Sequence, residues 1–253
     1  MNRELTDTGI DYIKYLPASW DTIRIKNIVD VPVVTGAGEE AKDYSENSIR
    51  YIRISDFDKD GNIDNSKAAY IPCEKGNKFL IKKGDILAAT AGGTVGKTLL
   101  FNGLNEDACY AGYLARIRTD SKRMNNKFLL YQMRCKLMDD FRTCAVKKST
   151  IENISASTYS NMRVACPPIE EQDIIVRYLD KKCASIDKVV SKTKDTIDEY
   201  KKFRQSIITE AITKGICEKR TVKSTKSTWF QAIPSDWKIE KLKYVSMSLC
   251  FTR

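Results

Sequence analysis

From Glu170 to Lys214 the chain contains neither proline nor glycine, while Pro167-Pro168 precedes this stretch and Gly215 follows it directly. Such punctuation marks the start and stop of one continuous helix, here expected over residues 169–215. About 45 residues at 1.5 Å each make a rod of roughly 68 Å, longer than one small domain covers. The apolar spacing says what must cover it. Leu179, Ile186, Thr193, Tyr200 and Ile207 fall seven apart, as do Cys183, Val190, Ile197, Arg204 and Ala211, which are the d and a positions of a coiled-coil seam. The expected helix-pairing residues are therefore Leu179, Cys183, Ile186, Val190, Ile197, Tyr200, Ile207 and Ala211, and they require a second helix of similar length.

The chain also repeats itself. Leu16-Pro17-Ala18-Ser19-Trp20 returns as Ile233-Pro234-Ser235-Asp236-Trp237, at a separation of 217 residues. At the same offset Ile25, Lys26 and Ile28 meet Leu242, Lys243 and Val245, and Tyr12 meets Trp229. Internal self-similarity signals a recurring structural unit. Residues 216–253 are thus expected to begin a second, incomplete copy of the segment that opens residues 1–168.

Between the two copies lie short β-type runs such as Arg50-Tyr51-Ile52-Arg53-Ile54 and Asp85-Ile86-Leu87-Ala88-Ala89, separated by turns such as Asp60-Gly61-Asn62. Phe128, Leu129, Tyr131, Met133, Leu137 and Phe141 recur at helical spacing, which predicts one helix from Met124 to Arg142 with a buried face and outward Lys and Arg. The expected fold class is α+β, a sheet-rich domain over residues 1–168 followed by a long coiled-coil helix over 169–215.

Charge narrows the function. The formal net charge of +10 is localised: residues 1–113 carry about −3, residues 114–150 about +7 and residues 216–253 about +5. A basic stretch of this kind favours an anionic partner such as nucleic acid. The absence of histidine removes the usual zinc sites, serine triads and histidine acid/base schemes, although carboxylate, lysine or cysteine chemistry stays open. Eight cysteines without a C-x-x-C pair spell neither a zinc ribbon nor a redox motif, and are expected to be reduced and mostly buried. The polar N-terminus and the lack of a long apolar run lead us to expect a cytoplasmic protein without membrane contact.

Three motifs need weighing. Ala91-Gly92-Gly93-Thr94-Val95-Gly96-Lys97-Thr98 is one residue short of a phosphate-binding P-loop, since glycine is required where Ala91 stands. Leu99-Leu100-Phe101-Asn102-Gly103 then reads as a strand and a turn rather than the helix such a loop needs, so the segment is expected to be a Gly-rich connection between strands. Cys166-Pro167-Pro168-Ile169 lacks the amide and aromatic ends of an adenine-methyltransferase tetrad, and its prolines serve as a rigid lead-in to the helix. Arg142 through Thr150 combines phosphate-seeking cations with small hydroxyl donors suited to groove or backbone contacts.

The order of these pieces resembles half of a type I restriction-modification specificity subunit. The likeness is carried by Leu16 to Ile28; by Tyr51-Ile52-Arg53-Ile54-Ser55-Asp56-Phe57 with Gly61-Asn62-Ile63; by Lys83-Gly84-Asp85-Ile86-Leu87 leading to Gly92, Gly96 and Lys97; and by Asn153-Ile154-Ser155 through Pro167-Pro168-Ile169-Glu170-Glu171-Gln172. The resemblance implies a target-recognition domain over residues 1–168 that reads one half of a bipartite site in double-stranded DNA. It implies a spacer and dimerisation helix over 169–215 that pairs antiparallel with a counterpart and sets the gap between half-sites. It also implies a non-catalytic subunit with no cofactor of its own, S-adenosylmethionine and ATP being expected on the modification and restriction subunits that it partners.

Members of this family usually carry two recognition domains and two helices. One of each here leaves open a truncated product, one half of a split subunit, or a natural half that forms a homodimer. From side-chain chemistry, the expected DNA-binding residues are Thr94 and Lys97 in the Gly-rich loop and Arg142, Lys147, Lys148, Ser149 and Thr150 in the basic loop. Two other classes compete with this reading: a P-loop-like nucleotidase, and a coiled-coil scaffold whose basic surface takes another acidic partner.

Overall fold

The protein is described by a computed structural model over residues 3–57, 63–146, 153–216 and 220–246. It divides into two units, Met1–Asp180 and Lys181–Arg253. In the first, a hairpin of β1 (Leu5–Ile10) and β2 (Ile13–Pro17) leads into β3 (Asp21–Arg24), β4 (Val34–Thr35), β5 (Ser48–Ile52) and β6 (Tyr70–Pro72). A single turn, α1 (Cys73–Gly76), precedes β7 (Ile86–Ala89), β8 (Thr98–Leu100), β9 (Ala108–Tyr110) and β10 (Leu114–Ile117). Helices α2 (Asn126–Arg134), α3 (Lys136–Val146) and α4 (Ala156–Asn161) follow, then β11 (Arg163–Cys166) and the long helix α5 (Ile169–Lys214). The second unit continues from α5 into a hairpin of β12 (Val222–Ser224) and β13 (Ala232–Pro234) and a final turn, α6 (Leu242–Ser246). The α+β expectation holds, with sheets first and one long helix after them.

The centre of the first unit is a sheet in the order β4-β10-β7-β8, antiparallel throughout. Side chains alternate between the faces of a strand, and here both faces are buried. Ile86 and Ala88 of β7 join Ala115 and Ile117 of β10 in one apolar cluster, together with Phe128, Leu129, Met133, Met138 and Phe141. Leu87 and Ala89 join Leu114 in the opposite cluster, together with Ile49, Tyr51 and Ile52 of the second sheet. That second sheet runs β6-β5-β9, with β5 antiparallel to β6 and parallel to β9. A two-stranded pair of β3 and β11 returns the chain to its beginning before α5 starts. Phe57 and Ile63 bridge antiparallel, while the Asp60-Gly61-Asn62 turn expected between them lies outside the described residues.

The helix predicted over Met124 to Arg142 is two helices, broken where Cys135 takes an extended conformation (φ −91°, ψ 179°). Residues advance about 100° each round a helix, so in one straight piece Met138 would lie about 140° from Met133. The break turns α3 so that Met133, Met138 and Phe141 enter the same cluster. No glycine or proline marks it.

The first turns of α5 are fastened to the rest of the first unit by their own side chains. Gln172 is fully buried; its Oε1 accepts the Asn125 N–H at 2.9 Å, and its Nε2 donates to the carbonyls of Pro167 at 2.8 Å and Arg123 at 3.1 Å. Asn125 Nδ2 donates to Asp173 at 2.7 Å, and Asp180 receives both Lys127 Nζ and the Tyr131 hydroxyl at 2.7 Å. Partial burial pushes the Asp180 carboxyl up, but these two donors win and hold it below its usual range. Farther along, the seam residues face solvent. Ile186, Val190, Ile197, Tyr200 and Ile207 are exposed, Ile186 by 60%, while Leu179, Cys183 and Ala211 are half-buried. Among the described residues no helix is long and apolar enough to cross a membrane.

Replacing Gln172 with Leu preserves volume but leaves the Asn125 N–H and two carbonyls without this partner. The expected cost is about 1–3 kcal/mol, read as a lower midpoint of urea denaturation. An unshifted midpoint would show that the amide does not anchor the helix.

Candidate nucleic-acid interface

The Gly-rich segment is the turn between β7 and β8, and no helix follows it, which removes the P-loop geometry. Its backbone explains two glycines: Gly92 has φ 77° and Gly96 φ 83°, a left-handed conformation that costs a residue with a side chain about 1–2 kcal/mol. A 3-10 turn over Gly92–Thr94 closes as the Val95 N–H donates to the Gly92 carbonyl at 3.0 Å and the Lys97 N–H to the Thr94 carbonyl at 2.9 Å. Val95 is buried in the core while Thr94 and Lys97 are exposed beside it. Beneath the turn, the Tyr159 hydroxyl donates to the Ala89 carbonyl at 2.6 Å. Burial raises that phenol well above its ordinary range, so it stays a donor.

Arg142 meets this loop from α3. A Cβ on Gly96 would stand 2.7 Å from Arg142 Cδ, so the glycine supplies room as well as backbone freedom. Arg142 is half-buried and pairs with Asp139 one turn back at 3.7 Å. Arg134, at the end of α2, donates from Nη2 to the Thr98 carbonyl at 2.9 Å. Lys97, Arg134 and Arg142 thereby line one cavity of about 360 Å³, with Leu87, Leu99, Leu114, Met133 and Met138 among its apolar walls. Thr98 Oγ1, also lining it, is buried without a hydrogen-bond partner. Three cations against the one carboxylate of Asp139, which also lines the cavity, leave it net positive and suited to an anionic group.

The chain returns to the same loop beyond α3. Asn153 bridges Ala91, and the Ile154 N–H donates to the Thr90 carbonyl at 2.9 Å. Thus Thr94, Lys97 and Arg142, read separately from the sequence, are brought together. Lys147, Lys148, Ser149 and Thr150 lie outside the described residues. Arg134 was not among the expected contacts; the signal available for it is a basic residue closing a helix two turns ahead of Arg142.

Other cations of the basic stretch are engaged in structure. Arg118 grips the buried Asp85 through two hydrogen bonds of 2.7 Å, and that carboxylate holds the guanidinium above its ordinary range. Arg116 donates to the Leu80 carbonyl and lies over the Tyr110 ring. Arg123 donates to the Asn27 carbonyl. The Lys83-Gly84-Asp85 and Arg53-to-Asp56 motifs serve the same end: Asp56, buried, takes Arg53 Nη2 at 2.8 Å and the Arg53 N–H at 3.0 Å.

Among the described residues no cluster of three or more His, Cys, Asp or Glu is placed to hold a metal ion. The described cysteines are free thiols, as expected, but most are not buried. Only Cys109 is, its thiol pushed up to about 12 by desolvation, whereas Cys135 and Cys144 are exposed.

Compared with known proteins, residues 17–212 match the model of the type I restriction modification DNA specificity domain. The MjaVIII type I restriction enzyme specificity subunit of Methanocaldococcus jannaschii is 23% identical, over 91% of this chain and 50% of that subunit. The EcoBI specificity subunit of Escherichia coli is 23% identical, over 79% of this chain and 43% of its own length. The chain therefore spans half or less of the length of these relatives. Among solved structures, a chain from work on complex assembly and conformational transition of the type I R-M system superposes with a TM-score of 0.64 at 23% identity, covering 82% of this chain and 48% of that one. The HsdS subunit of Thermoanaerobacter tengcongensis gives 0.56 at 20% identity, covering 82% and 47%.

A Gly96→Ala substitution sets a methyl group against Arg142 and forces a left-handed backbone on a residue that resists it. It is expected to cost about 1–2 kcal/mol, or roughly 2–8 °C in Tm for a domain of this size. A Tm that stays level or rises would show that Arg142 does not rest on the loop.

Proposed function

Since the chain belongs to the family of type I restriction-modification DNA specificity domains, we propose that it reads DNA sequence, its first unit recognising one half of a bipartite target. The observation that carries this reading is the meeting of Lys97, Arg134 and Arg142 on one cavity beside the exposed Thr94. Phosphates are anchored by the cations, and base edges are read by hydroxyls or an arginine fork. Lys147, Lys148, Ser149 and Thr150 complete the proposed contact set.

In this reading residues 1–168 recognise DNA, 169–215 form a spacer helix, and 216–253 open a second recognition-domain repeat. The subunit does no chemistry itself. It delivers a modification subunit, which carries S-adenosylmethionine, and a restriction subunit, which uses ATP, to the chosen site. The exposed row of Ile186, Val190, Ile197, Tyr200 and Ile207 supports pairing of α5 with a counterpart. Two identical helices pairing antiparallel give a closed twofold dimer, whose recognition domains read inverted copies of one half-site.

Two measurements test these proposals. Each neutralised phosphate contributes roughly −0.9 to the slope of log K against log salt. Lys97→Ala with Arg134→Ala is therefore expected to weaken binding to every sequence and flatten that slope by up to about 1.8; an unaltered slope removes this cavity from the interface. Co-expressed with a modification subunit, the chain is expected to direct methylation to a palindromic bipartite site. Ile186→Asp, Val190→Asp and Ile197→Asp together should give a monomer in sedimentation and abolish that pattern. An asymmetric methylated site for the parent chain would sink the homodimer.

A further inference from the structure

α2 ends and α3 begins at Cys135, whose extended backbone makes the elbow between them. Its thiol donates to the Gln132 carbonyl at 3.2 Å. The elbow leaves Cys135 exposed and sets it in the lining of the cavity that Lys97, Arg134 and Arg142 share. Among the described cysteines only Cys135 lies in that lining. Cys109 is the contrasting case, buried and pushed up to about 12 by desolvation, so that its reactive thiolate form is suppressed.

The cavity suits an anion on grounds that do not involve the cysteine. Thr98 is only 6% exposed, lines the cavity, and has no hydrogen-bond partner for its hydroxyl among the described residues. A buried hydroxyl left unpaired is destabilising until a ligand supplies the missing bond. Arg134 is held beside it through the Thr98 carbonyl at 2.9 Å, and Lys97 and Arg142 add two more cations against the single carboxylate of Asp139. At about 360 Å³ the space has room for about a dozen waters, or for a small molecule bearing an acid group.

We propose that Cys135 is a modification site for small disulfides that carry carboxylates, and that the modification closes the cavity to DNA. A disulfide of this class meets both features at once: its sulfur exchanges with the thiol, and its acid groups pair with the cations. The first half stands on the cavity alone. The second half rests on the DNA reading proposed above.

The exchange is balanced by the disulfide itself. Cys135, as thiolate, attacks one sulfur; the S–S bond of the reagent breaks, and a new S–S bond joins Cys135 to one half. The other half leaves as a thiolate and takes up the proton that Cys135 gave to water. The reagent is thus the oxidant, reduced to one free thiol as Cys135 is oxidised. The half that stays brings its carboxylate among Lys97, Arg134 and Arg142, where it occupies their charge and stands against an approaching phosphate. A reducing thiol reverses the bond and clears the site.

Three disulfides of matched size test the site on the full chain: dithiodiglycolate, which is anionic, hydroxyethyl disulfide, which is neutral, and cystamine, which is cationic. Rates at Cys135 are followed by peptide mass spectrometry, and each is divided by that reagent's rate with free mercaptoethanol. Dithiodiglycolate is expected to lead the neutral reagent by about tenfold, and to lose that lead in about 1 M salt and in Lys97→Ala with Arg134→Ala. Equal rates, or cystamine in the lead, overturn the site. Modified protein is then expected to bind DNA about tenfold more weakly, with dithiothreitol restoring it and Cys135→Ser, treated alike, unaffected. Loss of binding in treated Cys135→Ser overturns the assignment to this thiol. Quick modification that leaves DNA affinity intact overturns the closure; the salt slope of Lys97→Ala with Arg134→Ala then shows whether the cavity still touches DNA.

Discussion

A buried amide fastens the long helix to the domain that precedes it. Gln172 has no solvent to satisfy it, so each of its hydrogen bonds must be made within the protein, and it makes them to two separate pieces of chain: the Arg123–Asn125 stretch and Pro167. Pro167 and Pro168 prevent the helix from starting earlier, which fixes the turn on which Gln172 falls. Its neighbours then extend the attachment, Glu171 to the opening hairpin and Asp173 and Asp180 to α2. In the Pro-Pro-Ile-Glu-Glu-Gln string, Glu171 and Gln172 thus supply the fastening.

The same economy governs the sheet. Because β7 and β10 are buried on both faces, they cannot carry exposed contact residues, and contacts with another molecule are left to the turns at strand ends. The turn between β7 and β8 is where α2, α3 and the stretch after Asn153 converge. The cations divide by place: Arg116, Arg118 and Arg123 hold backbone carbonyls or a buried carboxylate away from the cavity, whereas Lys97, Arg134 and Arg142 gather at it, Arg134 while holding the Thr98 carbonyl and Arg142 beside Asp139. A count of charge along the sequence does not distinguish these two groups.

What the sequence made legible follows from how local each cause is. The helix over 169–215 was readable because proline and glycine act at the residue where they stand, and the observed bounds, Ile169–Lys214, differ by one residue. The short strands and the Gly-rich connection were readable for the same reason. The break at Cys135 was not, since it answers to where Met133, Met138 and Phe141 must go in three dimensions. Arg134 escaped notice because its role depends on the carbonyl of Thr98, 36 residues away in sequence. The 217-residue repeat was visible in its Pro and Trp, whereas the shared hairpin register, Leu5↔Pro17 and Val222↔Pro234, emerged only once strand partners were known. The cysteines were misjudged because burial belongs to the site and not to the residue type.

The turn at Gly92–Lys97 touches the core through a single plug. Val95 alone is buried, and Gly92 and Gly96 alone are held to a special backbone, so the conformation is specified by three positions out of six. Thr94 and Lys97 are exposed, and substitutions at exposed positions usually change stability by less than about 0.5 kcal/mol. The fold therefore separates what keeps it folded from what it presents. A lineage can rewrite its outward residues, and with them the surface offered to a partner, by point mutations that the core does not register.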